Sequence, residues 1–298
     1  MSSRTVPRYP IYVPSKGRYQ YERALTVRFL MREEVPFHVV VEPTEHDAYA
    51  ALVGEERVLI LDRSDGGLLY ARNWIRDHSE AAGFDRHWQL DDNIRQVHRL
   101  YRGERIPCDA APAFAVVEDF TDRYENIGIS GMNYHMFGIK GSPPFRVNVH
   151  VYSCTLINNR MPYRWRRVYN DDTDLCLQVL AGGLCTVAIN AFLAEKITTM
   201  VIPGGNTDDL YQDDGRLRMA RSLERDWPGV VTTDRRFQRP QHVVRNAWRK
   251  FDTPLRLRPG LSLDDFAGGP DEYGLSLTAI KPVRSPSLRR LIETEPEG

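Results

Sequence analysis

The 298-residue chain has no net charge, with 40 Lys and Arg against 40 Asp and Glu. That balance excludes a global basic field, so attraction to a polyanion would need a local patch. Cysteine is scarce. Cys108, Cys154, Cys176 and Cys185 form no C-x-x-C pair and no zinc-ribbon spacing, which reads as small core residues of a reducing compartment, without a disulfide network. There is no signal-type apolar region near residue 1 and no run of about 18 apolar residues, so a soluble, cytoplasmic protein without membrane contact is expected. A Walker loop and internal repeats are also missing.

What is present is an alternation of short apolar runs and amphipathic segments. "IYVP" (11–14), "FHVVVEP" (37–43), "RVLILD" (57–62) and "HWQLDD" (87–92) read as strands. Residues 21–34, the short stretch "AYAALV" and residues 67–83 read as the helices between them. This pattern predicts an α/β fold with a mostly parallel twisted sheet and flanking helices. "NIGISGMNYHMF" and "FRVNVHVYSCTLINN" read as antiparallel strands of a smaller sheet. Helices are predicted over 169–183 and 214–229, and residues beyond about 256 as a partly disordered extension.

Ligands of parallel α/β sheets bind beyond the carboxyl ends of the strands, and polar residues gather there. Pro14, Ser15, Lys16, Gly17 and Arg18 follow the first strand, Glu42 the second, Asp62 the third, and Asp91, Asp92 and Asn93 the fourth. Three adjacent oxygen-bearing side chains suit a turn, and they equally suit Mg²⁺ or Mn²⁺. "NDDTD" (170–174) opens a predicted helix whose buried face carries Leu175, Cys176, Val179 and Leu180. Its acids read as a dipole-stabilised cap or as a general base facing a cleft. Arg72 and Asn73 lie on a helix, where they serve a solvated face or a phosphate or sugar contact.

Two stretches are locally basic. Residues 235–258 hold eight Arg or Lys against one Asp, interleaved with Phe237, Trp248 and Phe251. "RMPYRWRR" (160–167) holds four arginines. Such clusters suit phosphate backbones and stacked bases, which marks Arg164, Arg166, Arg167, Arg245, Trp248 and Arg249 as candidate DNA contacts. His242 lies in the first stretch, as a structural histidine or as a further metal ligand.

In order, "PSKGR", "LLYARNWI", "QLDDNI", "YNDDTDLCLQVL" and "PGGNT" resemble the GT-A glycosyltransferases of the family-2-like branch, and most nearly the phage TET-associated glycosyltransferases. The resemblance covers about residues 9–252. It implies one GT-A domain over 1–255, with a nucleotide-binding half at about 9–100 and an acceptor half at about 101–255. It implies a nucleotide-sugar donor, UDP-linked, contacted by Pro14, Ser15, Lys16, Arg18, Glu42, Asp62, Arg72, Asn73, Asp91 and Asp92. It implies Mn²⁺ or Mg²⁺ at the D-x-D position, with Asp91 first and Asn93 third where aspartate is common; His242 is the residue that would complete such a site. Asp172, with Asp171 second, matches the catalytic base of an inverting transfer. The link to TET oxygenases implies 5-hydroxymethylcytosine in phage DNA as acceptor and the host cytoplasm as location, for a chain expected to be monomeric. A protein or glycan acceptor, a nucleotidyltransferase and a non-enzymatic DNA-binding module remain as alternatives.

Overall fold

A computed structural model describes residues 6–197, 215–236, 239–244 and 251–266. Its elements are β1 (Ile11–Pro14), α1 (Leu25–Arg32), β2 (His38–Val41), α2 (His46–Val53), β3 (Val58–Ile60), α3 (Gly67–Ala81), β4 (Arg86–Leu90), β5 (Ile94–Tyr101), β6 (Glu104–Pro107), α4 (Ala110–Asp122), β7 (Ile127–Tyr134), β8 (Phe145–Val147), β9 (Cys154–Asn158), α5 (Asp171–Ala181), β10 (Cys185–Lys196), α6 (Gly215–Asp226), β11 (Val231–Arg236) and β12 (Arg239–Val244).

One large sheet runs in the order β3-β2-β1-β4-β9-β7-β10-β5-β6, with β8 pairing β10. The β3-β2-β1-β4 part is parallel throughout. β9 is antiparallel to both β4 and β7, and β10 is parallel to β7. The middle strands therefore extend the main sheet, where a separate antiparallel sheet was expected. Among the described residues the second sheet is the β11–β12 hairpin. Because β1, β2, β3, β4, β7 and β10 all point the same way, their carboxyl ends share one edge.

Side-chain alternation explains the layers. Ile11 and Val13 of β1 and Val39 and Val41 of β2 face α1, α2 and α4, where Phe29, Leu30, Tyr49 and Phe114 are buried. Tyr12 and Val40 face the other way, onto Ala71 and Ile75 of α3. Ile129, Ile157 and Ala188 continue that second face under Leu175, Cys176 and Val179 of α5. Trp88 of β4 is fully buried, packs edge-on against Phe114 at 4.8 Å, and donates its indole N–H to Glu118 at 2.9 Å.

The predicted helix over 21–34 begins later, at Leu25, since residues 21–23 form a turn whose Arg23 N–H bonds the Gln20 carbonyl. α4 contains Pro112, tolerated because the third helical position has no intrahelical acceptor to lose. The four cysteines are free thiols, three of them buried. Residues 252–258 lie along the turn between α4 and β7: Asn126 donates to the Pro254 carbonyl, and the Arg256 N–H donates to the Asn126 side chain. Among the described residues no helix is long and apolar enough to cross a membrane.

Candidate active site

The shared strand edge carries the site. β4 ends at Leu90, and the turn that follows is fastened by Thr26 of α1. The Thr26 hydroxyl donates to the Asp91 carbonyl at 2.6 Å and accepts from the Ile94 N–H at 2.8 Å. The Thr26 N–H reaches the Asp92 carbonyl at 3.3 Å. A helix thus fixes the backbone that presents Asp91 and Asp92.

The two aspartates face different partners. Asp92 accepts from the Ser15 hydroxyl at 3.0 Å and pairs with Arg18, closing the turn after β1 onto the turn after β4. Gly17 lets that first turn fold back with φ 68°, and its N–H bonds Glu45 at 2.8 Å. Lys16 points away, to Glu42 at 3.0 Å and Asp65 at 2.9 Å.

Asp91 meets a cation on each side. Lys196, the last residue of β10, approaches Oδ2 at 2.6 Å, and Arg72 approaches Oδ1 at 3.3 Å. Ser153 also donates to Oδ2 at 2.6 Å. Gln89 orients Arg72: its amide donates to the Arg72 carbonyl at 3.0 Å, and its carbonyl oxygen faces the guanidinium at 3.5 Å. The same guanidinium pairs with Asp171 at 3.0 Å and Asp172 at 3.4 Å, both in the first turn of α5. Asn170 adopts the left-handed conformation before that turn (φ 51°) and donates to the Met219 carbonyl of α6 at 2.9 Å. Asp174 lies inside α5 and is spent on structure, accepting from Arg166, Trp227 and Gln178.

Of the other candidate donor-binding residues, Asp62 accepts from Trp74 at 3.1 Å and Tyr70 at 3.3 Å. Asn73 holds the Trp165 carbonyl at 2.8 Å. Pro14 sits in β1 beside Val40.

A cavity of about 180 Å³ opens beside the acids, lined by His150, Tyr152, Tyr169, Asp171, Asp172 and His242 among others. A wider cleft of about 560 Å³, with Arg166, Arg167 and Asp226 in its wall, shares Val168 and Tyr169 with it.

Residues 9–205 match the model of the TET-Associated Glycosyltransferase family, about two thirds of the chain. The chain belongs to this family. Glycosyltransferase is therefore its enzyme class. No curated protein matches it. Among solved structures, it is similar to GalNAc-T7 with UDP, GalNAc and Mn²⁺ at 8% identity and TM-score 0.43, over 66% of this chain and 45% of that one. It thus spans less than half the length of that relative. It is also similar to a protein from Desulfovibrio desulfuricans G20 assigned as a nucleotide-diphospho-sugar transferase, at 11% identity and TM-score 0.36, over 74% and 97% of the two chains. A Bacillus anthracis protein assigned as a glucose-1-phosphate thymidylyltransferase, in complex with sucrose, follows at 13% identity and TM-score 0.38, over 73% and 95%.

In this glycosyltransferase, the charges of the site decide its protonation. Three carboxylates (Asp91, Asp171, Asp172) share two cations (Arg72, Lys196). Burial pushes Asp91 up, but Lys196 and then Arg72 outweigh it and hold its pKa down at about 2. Asp172 is raised to about 7 by burial, with Asp171 and Asp91 adding to a rise that Arg72 only partly opposes. Asp171 is also raised by burial, against Arg72. One carboxyl of the cluster is thus left to titrate near neutrality.

The expected metal trio does not converge. Asn93 donates its amide to the Ile197 carbonyl at 3.0 Å, and His242 faces the Thr173 hydroxyl at 3.3 Å. Among the described residues no three His, Cys, Asp or Glu side chains form a group able to hold a metal ion. Mg²⁺ and Mn²⁺ need several oxygens at close range, whereas both Asp91 oxygens already carry cations. The donor set does not fit a divalent ion.

The candidate DNA-binding arginines are paired within the chain: Arg164 with Asp77 at 2.6 Å, Arg166 with Asp174 at 2.9 Å, and Arg167 with Asp226. Arg245, Trp248 and Arg249 lie outside the described residues, as do Phe237 and the "PGGNT" motif.

Sequence reasoning missed Lys196, Ser153 and Tyr134. "TVAINAFLAEK" reads as an apolar strand with a charged end, and the strand-end rule that singled out Asp91 applies to Lys196 as well.

Proposed function

We propose that this glycosyltransferase transfers a sugar from a UDP-sugar to the hydroxymethyl group of 5-hydroxymethylcytosine in phage DNA, with inversion and with Asp172 as general base. The observation that carries the reading is Asp172 itself. Its carboxyl has a pKa near 7 and lies in the wall of a small cavity that also opens onto Tyr152 and Tyr169. A base poised near working pH is the most effective proton acceptor.

The step balances without a further reagent. The acceptor hydroxyl oxygen attacks the sugar's anomeric carbon and its proton passes to Asp172. The bond from that carbon to the diphosphate oxygen breaks, and its electron pair leaves with the nucleoside diphosphate. The carbon passes through an oxocarbenium-like state, and attack from the face opposite the leaving group inverts it.

The family's association with TET supports a hydroxymethylated cytosine as acceptor. The cavity's aromatic walls, Tyr152 and Tyr169, suit stacking of an extruded base. The wider cleft, which shares Val168 and Tyr169 with this cavity, gives the flanking strand a place to lie. The nucleotide-binding half at about 9–100 and the acceptor half at about 101–255 then meet at the strand edge. The test offers DNA with hydroxymethylcytosine, the same DNA with cytosine, and peptide and glycan acceptors, each with labelled UDP-sugars. Label on hydroxymethylated DNA alone supports the reading. Label on a peptide or glycan moves the acceptor class, and nucleotide label on any acceptor makes the protein a nucleotidyltransferase.

A further inference from the structure

We infer that Lys196 stands where a divalent ion would otherwise be needed, so that this enzyme binds its donor's diphosphate without metal. The inference rests on the nucleotide-sugar reading of the site and concerns how the leaving group is held.

The Lys196 ammonium is set in a shell of oxygens: Asp91 Oδ2 at 2.6 Å, Ser153 Oγ at 2.9 Å and the Tyr134 hydroxyl at 3.1 Å. Three N–H groups meet three acceptors, as a bound cation would meet its ligands. These partners come from the end of β7, the residue before β9 and the residue after β4, so the sheet edge builds the shell. Tyr134 and Ser153 are themselves linked at 2.6 Å. Ser153 is held in the left-handed region at φ 65°, a conformation rare for a residue with a side chain.

A dication placed on Asp91 would face this ammonium and the buried Arg72 guanidinium, and both would repel it. The ammonium does for Asp91 what the dication would do. It neutralises the strand-end carboxylate at 2.6 Å. Lys196 keeps 13% of its side chain exposed, while Arg72 keeps 3%. Lys196 is therefore the group that reaches phosphate, exchanging its longest contact, Tyr134, for a phosphate oxygen. Arg72 stays behind as a positioning residue that holds Asp91, Asp171 and Asp172 together. When the bond to the diphosphate oxygen breaks, the electron pair arrives on an oxygen next to a fixed cation.

The test is calorimetric titration of the full chain with UDP, GDP, ADP, CDP and dTDP, in EDTA and again in Mn²⁺. At least one of these is expected to bind with the same Kd, within about twofold, in both conditions. Lys196→Met is expected to weaken that binding about tenfold or more, the loss of one charge-assisted contact, and Lys196→Arg to recover part of it. The wild-type comparison needs no variant, so a misfolded Lys196→Met does not spoil it. Binding in Mn²⁺ alone overturns the inference and leaves the glycosyltransferase reading standing. Wild-type affinity in a folded Lys196→Met overturns it as well. Failure of every diphosphate to bind in both conditions overturns the donor reading together with it.

Discussion

Lys196 and Asp91 meet at 2.6 Å although two strands, β9 and β7, lie between theirs in the sheet. The contact is possible because both side chains leave the carboxyl ends of parallel strands and bend across the same edge. Arg72 continues the line from Asp91 to Asp171 and Asp172. The edge is thus a row of alternating charge, with one acid more than the cations balance.

That excess acid leads to the first expectation. Asp172→Asn keeps the shape of the site and removes the proton acceptor. The kcat should fall by roughly 10²- to 10⁴-fold, with nucleotide affinity unchanged by calorimetry. Asp171→Asn should cost less, because Asp171 is held against the Arg72 Nε at 3.0 Å. Full activity in Asp172→Asn would move the base elsewhere.

The pH profile follows from the same carboxyl. Asp172 accepts a proton only when ionised, so activity should rise with pH through about 7 and level off above it. The charged and titratable groups around it are Arg72 on α3, Asp91 after β4, Lys196 on β10, Asp171 on α5, His150 and Tyr152 before β9, and His242 on β12. His150 is lowered by burial to about 3 and is neutral across the rise, and burial lowers His242 as well. Tyr152 is raised by burial and also stays neutral. A rate profile that is flat between pH 6 and 8, roughly one unit on either side of 7, would contradict the assignment.

Thr26 is expected to matter for stability and site geometry together. Thr26→Val removes the hydroxyl that donates to the Asp91 carbonyl and accepts from the Ile94 N–H. It leaves two buried backbone groups unpaired, at a cost of about 1–3 kcal/mol. Urea unfolding should show that loss, and nucleotide affinity should weaken in the folded variant.

Gly131 has a different reason to be sensitive. A methyl group there would overlap the Cys154 carbonyl of the neighbouring strand. Gly131→Ala should lower the melting temperature measurably, whereas an alanine at Gly183, with open space around it, is opposed by its backbone φ of 79° alone.

DNA affinity should fall linearly in log–log form as salt increases, since phosphate contacts release counterions. Arg164, Arg166 and Arg167 already pair with acids of the chain, so their share depends on loosening those pairs. Salt-independent binding would argue against a DNA backbone in the wider cleft.

The parallel half of the fold was legible because each strand is short, apolar and closed by a turn residue, and each helix has an apolar face. The expected strand at 11–14 and helix at 67–83 appear within two residues of their expected ends. The acids at 91, 92, 171 and 172 were legible for the same reason, since element ends mark the edge of a sheet. What was hidden depends on distant pairing. Nothing near Lys196 in the chain reveals Asp91, 105 positions away. Arg166 reads as a free cation until Asp174 and Trp227 close around it. Asn93 reads as a ligand until the chain returns at Ile197. Whether the middle strands join the main sheet depends on register, which apolar patterning does not specify.

The most direct measurement is the mass of the nucleosides released from hydroxymethylated DNA after incubation with the enzyme and a panel of nucleotide sugars. A 5-hydroxymethyl-2′-deoxycytidine heavier by one glycosyl residue is expected with at least one donor, in wild type and not in Asp172→Asn. Unaltered 5-hydroxymethyl-2′-deoxycytidine with every donor, from protein that binds a nucleoside diphosphate, would contradict that expectation.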